Sequence, residues 1–218
     1  THTGEPGYCL YIPSEYALHV YDELMKIGVD YGAKNVGTLT QRFMRVERFI
    51  PFMGEELIST VTPLEAGQED YVDFSKDFIG KDVLMEQKQH GMKKRLAMFL
   101  LEDFDNDSDV WPWGSEPIFR NSEYVGHVTS ANFGFTCQKM VCLGFLQMPD
   151  SQKDENITMD FIKDPNAVYE IDIANTKFKA SVYTSPAELS FLKQQDEKRA
   201  ISASYRPSSS VFSVKKRQ

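Results

Sequence analysis

Apolar positions along this chain follow two different periods. Up to about residue 91 they recur every three or four residues, and beyond it they fall in short apolar runs separated by turn residues. In the first part, Ala17, Val20, Leu24 and Ile27, widened by Tyr21, mark one face of a helix. Ser14 is its candidate N-cap and Gly28 its stop. Leu39, Phe43, Val46 and Ile50 mark the inner face of a second helix, capped by Thr38 and ended by Pro51, which has no N–H to continue it. Residues 81–90 read as a third, with Val83, Leu84 and Gln87 inward and Gly91 at the end. Short strands are predicted at 8–13 and 69–74.

Beyond residue 91, strands are predicted at 94–102, 117–120, 124–129, 140–148, 156–162, 169–173 and 177–183, with a hairpin across Asn121-Ser122-Glu123. That spacing points to a small antiparallel barrel or sandwich. The reading divides the chain into an α+β portion, 1–91, a β portion, 92–185, and a tail, 186–218. Residues 187–200 have some helical character, but 202–218 is Ser-rich, loses its period and ends in Lys215-Lys216-Arg217, so the tail is expected to be disordered.

A chain of 218 residues, 41% hydrophobic and 26% charged, is long enough for one large or two small cores. Its net charge of −8 argues against broad electrostatic binding to nucleic acid or anionic membranes. No apolar run approaches the ~20 residues of a spanning helix. Cys9, Cys137 and Cys142 have neither a disulfide-framework nor a metal-ligand spacing, so reduced thiols in an intracellular compartment are expected. Thr1 is not a methionine and structure-like sequence begins at once, which favours a fragment with a partner region upstream. Such a fragment should expose apolar surface and be poorly soluble alone.

Catalytic signals are sparse. There is no nucleophile elbow, no phosphate loop and no glycine fingerprint after a strand, and the four histidines are scattered. In residues 101–114, Asp103, Asp105, Asp107 and Asp109 alternate as in the first half of a calcium loop. Ser108 then stands where the turn needs Gly, and Gly114 where the closing Glu belongs, so the stretch reads as a solvated acidic loop, with weak Mg²⁺ or Ca²⁺ binding as the alternative. Trp111 and Trp113 beside it read as packed. Glu47 is the most informative single residue, because a carboxylate at a helix C-terminus meets a negative dipole end and costs a few tenths to ~1 kcal/mol unless answered. Arg45 and Arg48 are one answer; a ligand with two adjacent donors is the other.

Seven short motifs then occur in a recognisable order within residues 1–148: Thr3-Gly4-Glu5-Pro6-Gly7, Arg45-Val46-Glu47, Thr62-Pro63-Leu64-Glu65-Ala66-Gly67, Phe78-Ile79-Gly80-Lys81, Lys94-Arg95-Leu96, Gly126-His127-Val128-Thr129-Ser130 and Val141-Cys142-Leu143-Gly144-Phe145. Each is weak alone; together they resemble the C-terminal half of an aminomethyltransferase of the glycine-cleavage T-protein type, a module also fused to sarcosine and dimethylglycine dehydrogenases. The resemblance implies an α+β fold: the second half of a T-protein-type folate-binding domain followed by a small antiparallel β-barrel. An FAD-binding oxidoreductase region would lie upstream. It also implies that Glu47 anchors the pterin of tetrahydrofolate by accepting two parallel hydrogen bonds, and that Arg95 lies near the folate tail.

Residues 15–25, 111–121 and the segments PLEAGQE and VCLGF most resemble one branch, the regulatory subunits of mitochondrial pyruvate dehydrogenase phosphatase. That branch implies a non-catalytic role in the mitochondrial matrix, with the phosphatase catalytic subunit as partner and its response to Mg²⁺ as the regulated property. The alternative is the folate-binding part of an FAD-dependent demethylating dehydrogenase. Departures from the enzyme pattern favour the regulatory reading: His2 replaces a usual Tyr, Pro6 follows Glu5, and Cys9 stands where Glu is common. The family's catalytic Asp belongs to the upstream portion.

Overall fold

The computed structural model of the protein describes residues 2–204, with side chains to residue 197. Six antiparallel strands close into a barrel in the order β1-β4-β3-β2-β5-β6. They are β1 (Lys94–Leu101), β2 (Pro117–Arg120), β3 (Glu123–Gly134), β4 (Lys139–Gln147), β5 (Tyr169–Ile173) and β6 (Thr176–Tyr183). β1 and β4 are apolar on both faces because each face has a different layer to fill. Ala97, Phe99 and Leu101 of β1, with Met140, Cys142 and Leu146 of β4, join the barrel interior. Leu96, Met98 and Leu100, with Val141, Leu143 and Phe145, point outward into a second cluster closed by Val46, Phe49, Leu189 and Leu192. The barrel therefore carries an outer layer over β1 and β4.

Turn chemistry sets the hairpins. Asn121 and Ser122 both have positive φ, as do Ala174 and Asn175, giving the tight two-residue connections whose twist matches paired strands. A register shift between Val128 and Ser130 makes Thr129 the extra residue of a β-bulge.

The outer layer comes from the first part of the chain and from its end. α2 (Thr38–Glu47) packs on the barrel through Val46, followed by turns to residue 80 and then α3 (Lys81–His90), which Gly91 ends at φ +90°. The expected tail contains a short 3-10 helix, Pro186–Glu188, and α5 (Ser190–Ser204); residues 205–218 lie outside the described residues. α1 (Ala17–Gly28) has no buried residue, and Leu18, Leu24 and Ile27 are more than half exposed.

Several expectations are corrected. Gly28 is not the stop: it keeps a helical φ of −65°, and the chain continues through Val29–Tyr31 to Gly32 at φ +68°. A Cβ on Gly28 would lie 2.6 Å from that of Ala33, whose N–H bonds the Gly28 carbonyl, so glycine is needed there for closeness. Ser14 makes no N-cap bond, and Leu39 faces solvent instead of the core. Residues 8–13 form no strand and join no ladder among the described residues, and 69–74 holds a 3-10 turn, Glu69–Tyr71, in place of a strand. The predicted strand at 156–162 is instead α4 (Met159–Lys163), because the Thr158 side chain accepts from the Phe161 N–H and starts a helix. Trp111 packs on the barrel core and donates its indole N–H to the Asn106 carbonyl, whereas Trp113 is 78% exposed.

Candidate functional site

The polar chemistry of the chain concentrates where α2 and the loop after it meet the barrel. Of the α2 residues, Arg45, Val46 and Glu47 are buried, so two of the three side chains turned to the barrel are charged. Burying a charge is costly unless it is paired and hydrogen-bonded. Each finds barrel or loop partners.

Glu47 ends α2, where the dipole disfavours it. Its Oε1 accepts the backbone N–H groups of Thr136 (2.6 Å) and Cys137 (2.8 Å), and its Oε2 accepts the Thr136 hydroxyl (3.0 Å). Two successive N–H groups of the β3–β4 turn thus supply the adjacent donors that a carboxylate at this place demands. Gly134 permits the approach, since a Cβ there would lie 3.0 Å from Glu47 Oε1 and 2.5 Å from Cys137 Sγ. The Cys137 thiol is pushed up to about 11, chiefly by burial and further by the Glu47 charge.

Neither neighbouring arginine answers Glu47. Arg45 reaches back into the seam, donating to the Ile50 carbonyl (3.0 Å), Glu56 (3.1 Å), Glu55 (2.6 Å) and the Ser130 hydroxyl (3.0 Å). Glu56 is wholly buried and also accepts from the Phe52 N–H (2.9 Å) and the Thr129 hydroxyl (2.8 Å). Ser130 Oγ lies 2.5 Å from oxygens of both Glu55 and Glu56. In a regular strand, residues 129 and 130 would point to opposite faces; the bulge at Thr129 lets both hydroxyls reach one carboxylate. Arg42 adds a second cation to Glu55 at 3.2 Å. Arg48 donates instead to Glu5, Gln195 and Asp196. Burial works against its charge, but the bonds and charges of Asp196 and Glu5 hold its pKa above the ordinary value.

Arg95 lies elsewhere. It grips Glu69 with both terminal nitrogens (3.0 and 3.3 Å) and donates to the Leu64 carbonyl at 2.8 Å. Burial works against the Glu69 charge, but the Arg95 bond holds its carboxyl below the usual range. Arg95 lines a polar cavity of about 560 Å³ with Gly67, Gln68 and Thr184, whereas Glu47 lines a separate cleft of about 400 Å³ with Phe43, Thr136 and Gln195. The two residues singled out from the sequence therefore do not share a cavity. In the acidic loop, Asp105 accepts the Asp107 N–H and the Ser108 hydroxyl, and these bonds lower its pKa. Among the described residues no group of three or more acidic, His or Cys side chains is placed to hold a metal ion.

Two family models match the chain, the GCVT N-terminal domain over residues 1–76 and the glycine cleavage T-protein C-terminal barrel domain over residues 94–187. The chain belongs to the glycine cleavage T-protein family. Within it, the chain is 49% identical over 190 residues to the mouse mitochondrial pyruvate dehydrogenase phosphatase regulatory subunit, covering 85% of this chain and 21% of that protein. It is 34% identical to an aminomethyltransferase of Thermoanaerobacter sp. (strain X514), covering 72% of this chain and 41% of the relative. Human mitochondrial dimethylglycine dehydrogenase is 32% identical over 164 residues, 74% of this chain and 18% of that protein. The chain thus spans well under half the length of these relatives. A crystal structure of the aminomethyltransferase T of the Bartonella henselae glycine cleavage system superposes with a TM-score of 0.61 at 19% identity, over 80% of this chain and 44% of that one, and so shares the fold. The expected α+β fold, part of a T-protein-type N-terminal domain followed by a small antiparallel barrel, is the one found.

The seam residues Arg45, Glu56, Thr129 and Ser130 were not singled out as a site from the sequence. Their signal was present in the adjacent carboxylates Glu55-Glu56 after Gly54 and in a charged residue on the buried side of α2.

Proposed function

We propose that this chain is the C-terminal part of a non-catalytic regulatory subunit of the mitochondrial pyruvate dehydrogenase phosphatase type, located in the matrix. It acts with the phosphatase catalytic subunit to set dephosphorylation of the pyruvate dehydrogenase complex. The observation that carries this reading is the gap in identity: 49% to the mouse regulatory subunit against 34% and 32% to the aminomethyltransferase and the dehydrogenase. The self-satisfied carboxylate of Glu47 supports it, because a pterin would have to displace donors of Thr136 and Cys137 to be held there. In this reading the T-protein architecture is retained as a scaffold, with its junction at residues 91–92. The test is capture of the phosphatase catalytic subunit by the protein carrying this chain, with an unrelated T-protein as control, and titration of phosphatase activity with Mg²⁺. A shifted Mg²⁺ response supports the proposal; an unchanged response together with no capture sinks it.

The second reading is the folate-binding part of an FAD-dependent dehydrogenase of the sarcosine or dimethylglycine type, with FAD held upstream and Glu47 and Arg95 serving tetrahydrofolate. The 32% identity to dimethylglycine dehydrogenase and the presence of Glu47 favour it. Tetrahydrofolate binding that is lost in Glu47→Gln, together with dimethylglycine turnover by the protein carrying this chain, would replace the first reading with this one.

A further inference from the structure

The turns between α2 and α3 leave an apolar trough open. Two spaces of about 670 and 580 Å³ share Val61, Pro63, Tyr71 and Val72 and so run into one another. Val83 and Leu84 of α3 line the larger space, and Met53 and Leu57 the smaller. Large apolar side chains stand exposed along it: Ile79 fully, Tyr71 by 84%, Met53 by 73% and Val83 by more than half. Among the described residues from 50 to 91, the buried apolar side chains are Leu64, Ala66 and Leu84. So few buried groups do not make a packed layer, which needs a second layer against it. A contiguous apolar surface of this kind marks a contact site.

The relatives point to the occupant. The matched region is 41% of the Thermoanaerobacter aminomethyltransferase, and the Bartonella protein superposes over 44% of its length, so more than half of a T-protein has no counterpart in these residues. The C-terminal barrel is present as a closed sheet. The match to the N-terminal domain, residues 1–76, holds Met53, Val61, Pro63, Tyr71 and Val72. The part without a counterpart is therefore a share of the domain whose apolar side lies open. We infer that the trough is the seat of the remaining part of the T-protein N-terminal domain, carried on the same polypeptide. The occupant is an amphipathic element that presents aliphatic or aromatic side chains to Val61, Pro63 and Val72. Asp73, Lys76 and Asp77 on the trough carry both signs of charge, which suits the polar edge of such an element and offers no general attraction for a strongly basic or acidic partner. The inference rests on family membership and is independent of whether the protein regulates a phosphatase or binds folate.

The test is methionine oxidation by dilute peroxide in the folded, longer protein that carries this chain, read by mass spectrometry at three sites. Met159, 47% exposed and outside the trough, is the open reference; Met140, wholly buried in the barrel, is the closed one. Met53 is expected to oxidise more slowly than Met159 and close to the rate of Met140, at every protein concentration. Val83→Arg, which puts a charge into the trough, should raise the Met53 rate toward that of Met159 while Met140 stays protected. Amine cross-links from Lys76 should land in the remaining part of the N-terminal domain. Met53 oxidising as fast as Met159 in the unaltered protein overturns the inference. So does protection that disappears on dilution, which would assign the trough to a second copy, or protection that needs added phosphatase catalytic subunit. Cross-links from Lys76 to an oxidoreductase region instead of the N-terminal domain overturn it as well.

Discussion

Glu47 and Thr136 are joined twice, through the Thr136 backbone N–H at 2.6 Å and its hydroxyl at 3.0 Å. With the Cys137 N–H as a third donor, the carboxylate closes the end of α2 against the β3–β4 turn. Glu47→Ala leaves two half-buried N–H groups without a partner and should cost about 1–3 kcal/mol. Thr136→Val removes only the hydroxyl bond and should cost about 0.5–1.5 kcal/mol. The double variant should cost less than the sum, because both changes remove the same contact. Urea denaturation of the four proteins measures this; strictly additive losses would show that the two side chains do not act together.

Arg45 and Glu56 form the buried ion pair of the seam, 3.1 Å apart with Arg45 nearly and Glu56 fully excluded from water. Removing one partner strands the other charge. Arg45→Leu is therefore expected to cost about 3–5 kcal/mol. Replacing both by leucine should recover part of that loss, since the uncompensated charge is gone and Glu55 keeps Arg42. Equal stability of Arg45→Leu and the parent chain in chemical denaturation would contradict this account.

The apolar face of α1 makes a different prediction, because no residue of that helix is buried. Leu18 and Ile27 are both largely exposed. Leu18→Glu with Ile27→Glu should change unfolding free energy by no more than about 0.5 kcal/mol per site, while reducing self-association of the chain in light scattering. A large loss of stability would reveal a packing role for α1.

The helices 17–28, 38–47 and 81–90 and most of the barrel strands were legible because each is encoded by a local period and by nearby turn residues. The choice between barrel and sandwich was not, since closure depends on β1 meeting both β4 and β6, a relation between distant segments. Residues 156–162 misread as a strand because five helical residues are too few to show a period, and the deciding feature is one capping bond from Thr158. The site behaved likewise. Glu47 was visible as a charge at the wrong end of a helix, but its donors lie 89 and 90 residues later in the chain. Arg45 is close to Glu47 in sequence, yet its helix position turns it to Glu55 and Glu56.

Acid should weaken the outer layer through Glu69 and Glu188. Burial opposes ionisation of both, but the Arg95 bond to Glu69, and the Lys163 and Thr184 bonds to Glu188, outweigh it and hold each below its ordinary value of 4.5. A carboxyl with a lower pKa folded than unfolded adds stability that is fully present above pH 4.5 and disappears as pH falls through the folded value. Stability should therefore decline as pH drops below about 4.5 and the unfolded chain takes up more protons than the folded one. Glu69→Gln and Glu188→Gln should each lower stability at pH 7 and flatten the acid limb, because the amide cannot titrate. Thermal midpoints measured from pH 7 to pH 3 for the parent and both variants check this, and acid limbs of identical slope would remove these two carboxylates from the explanation.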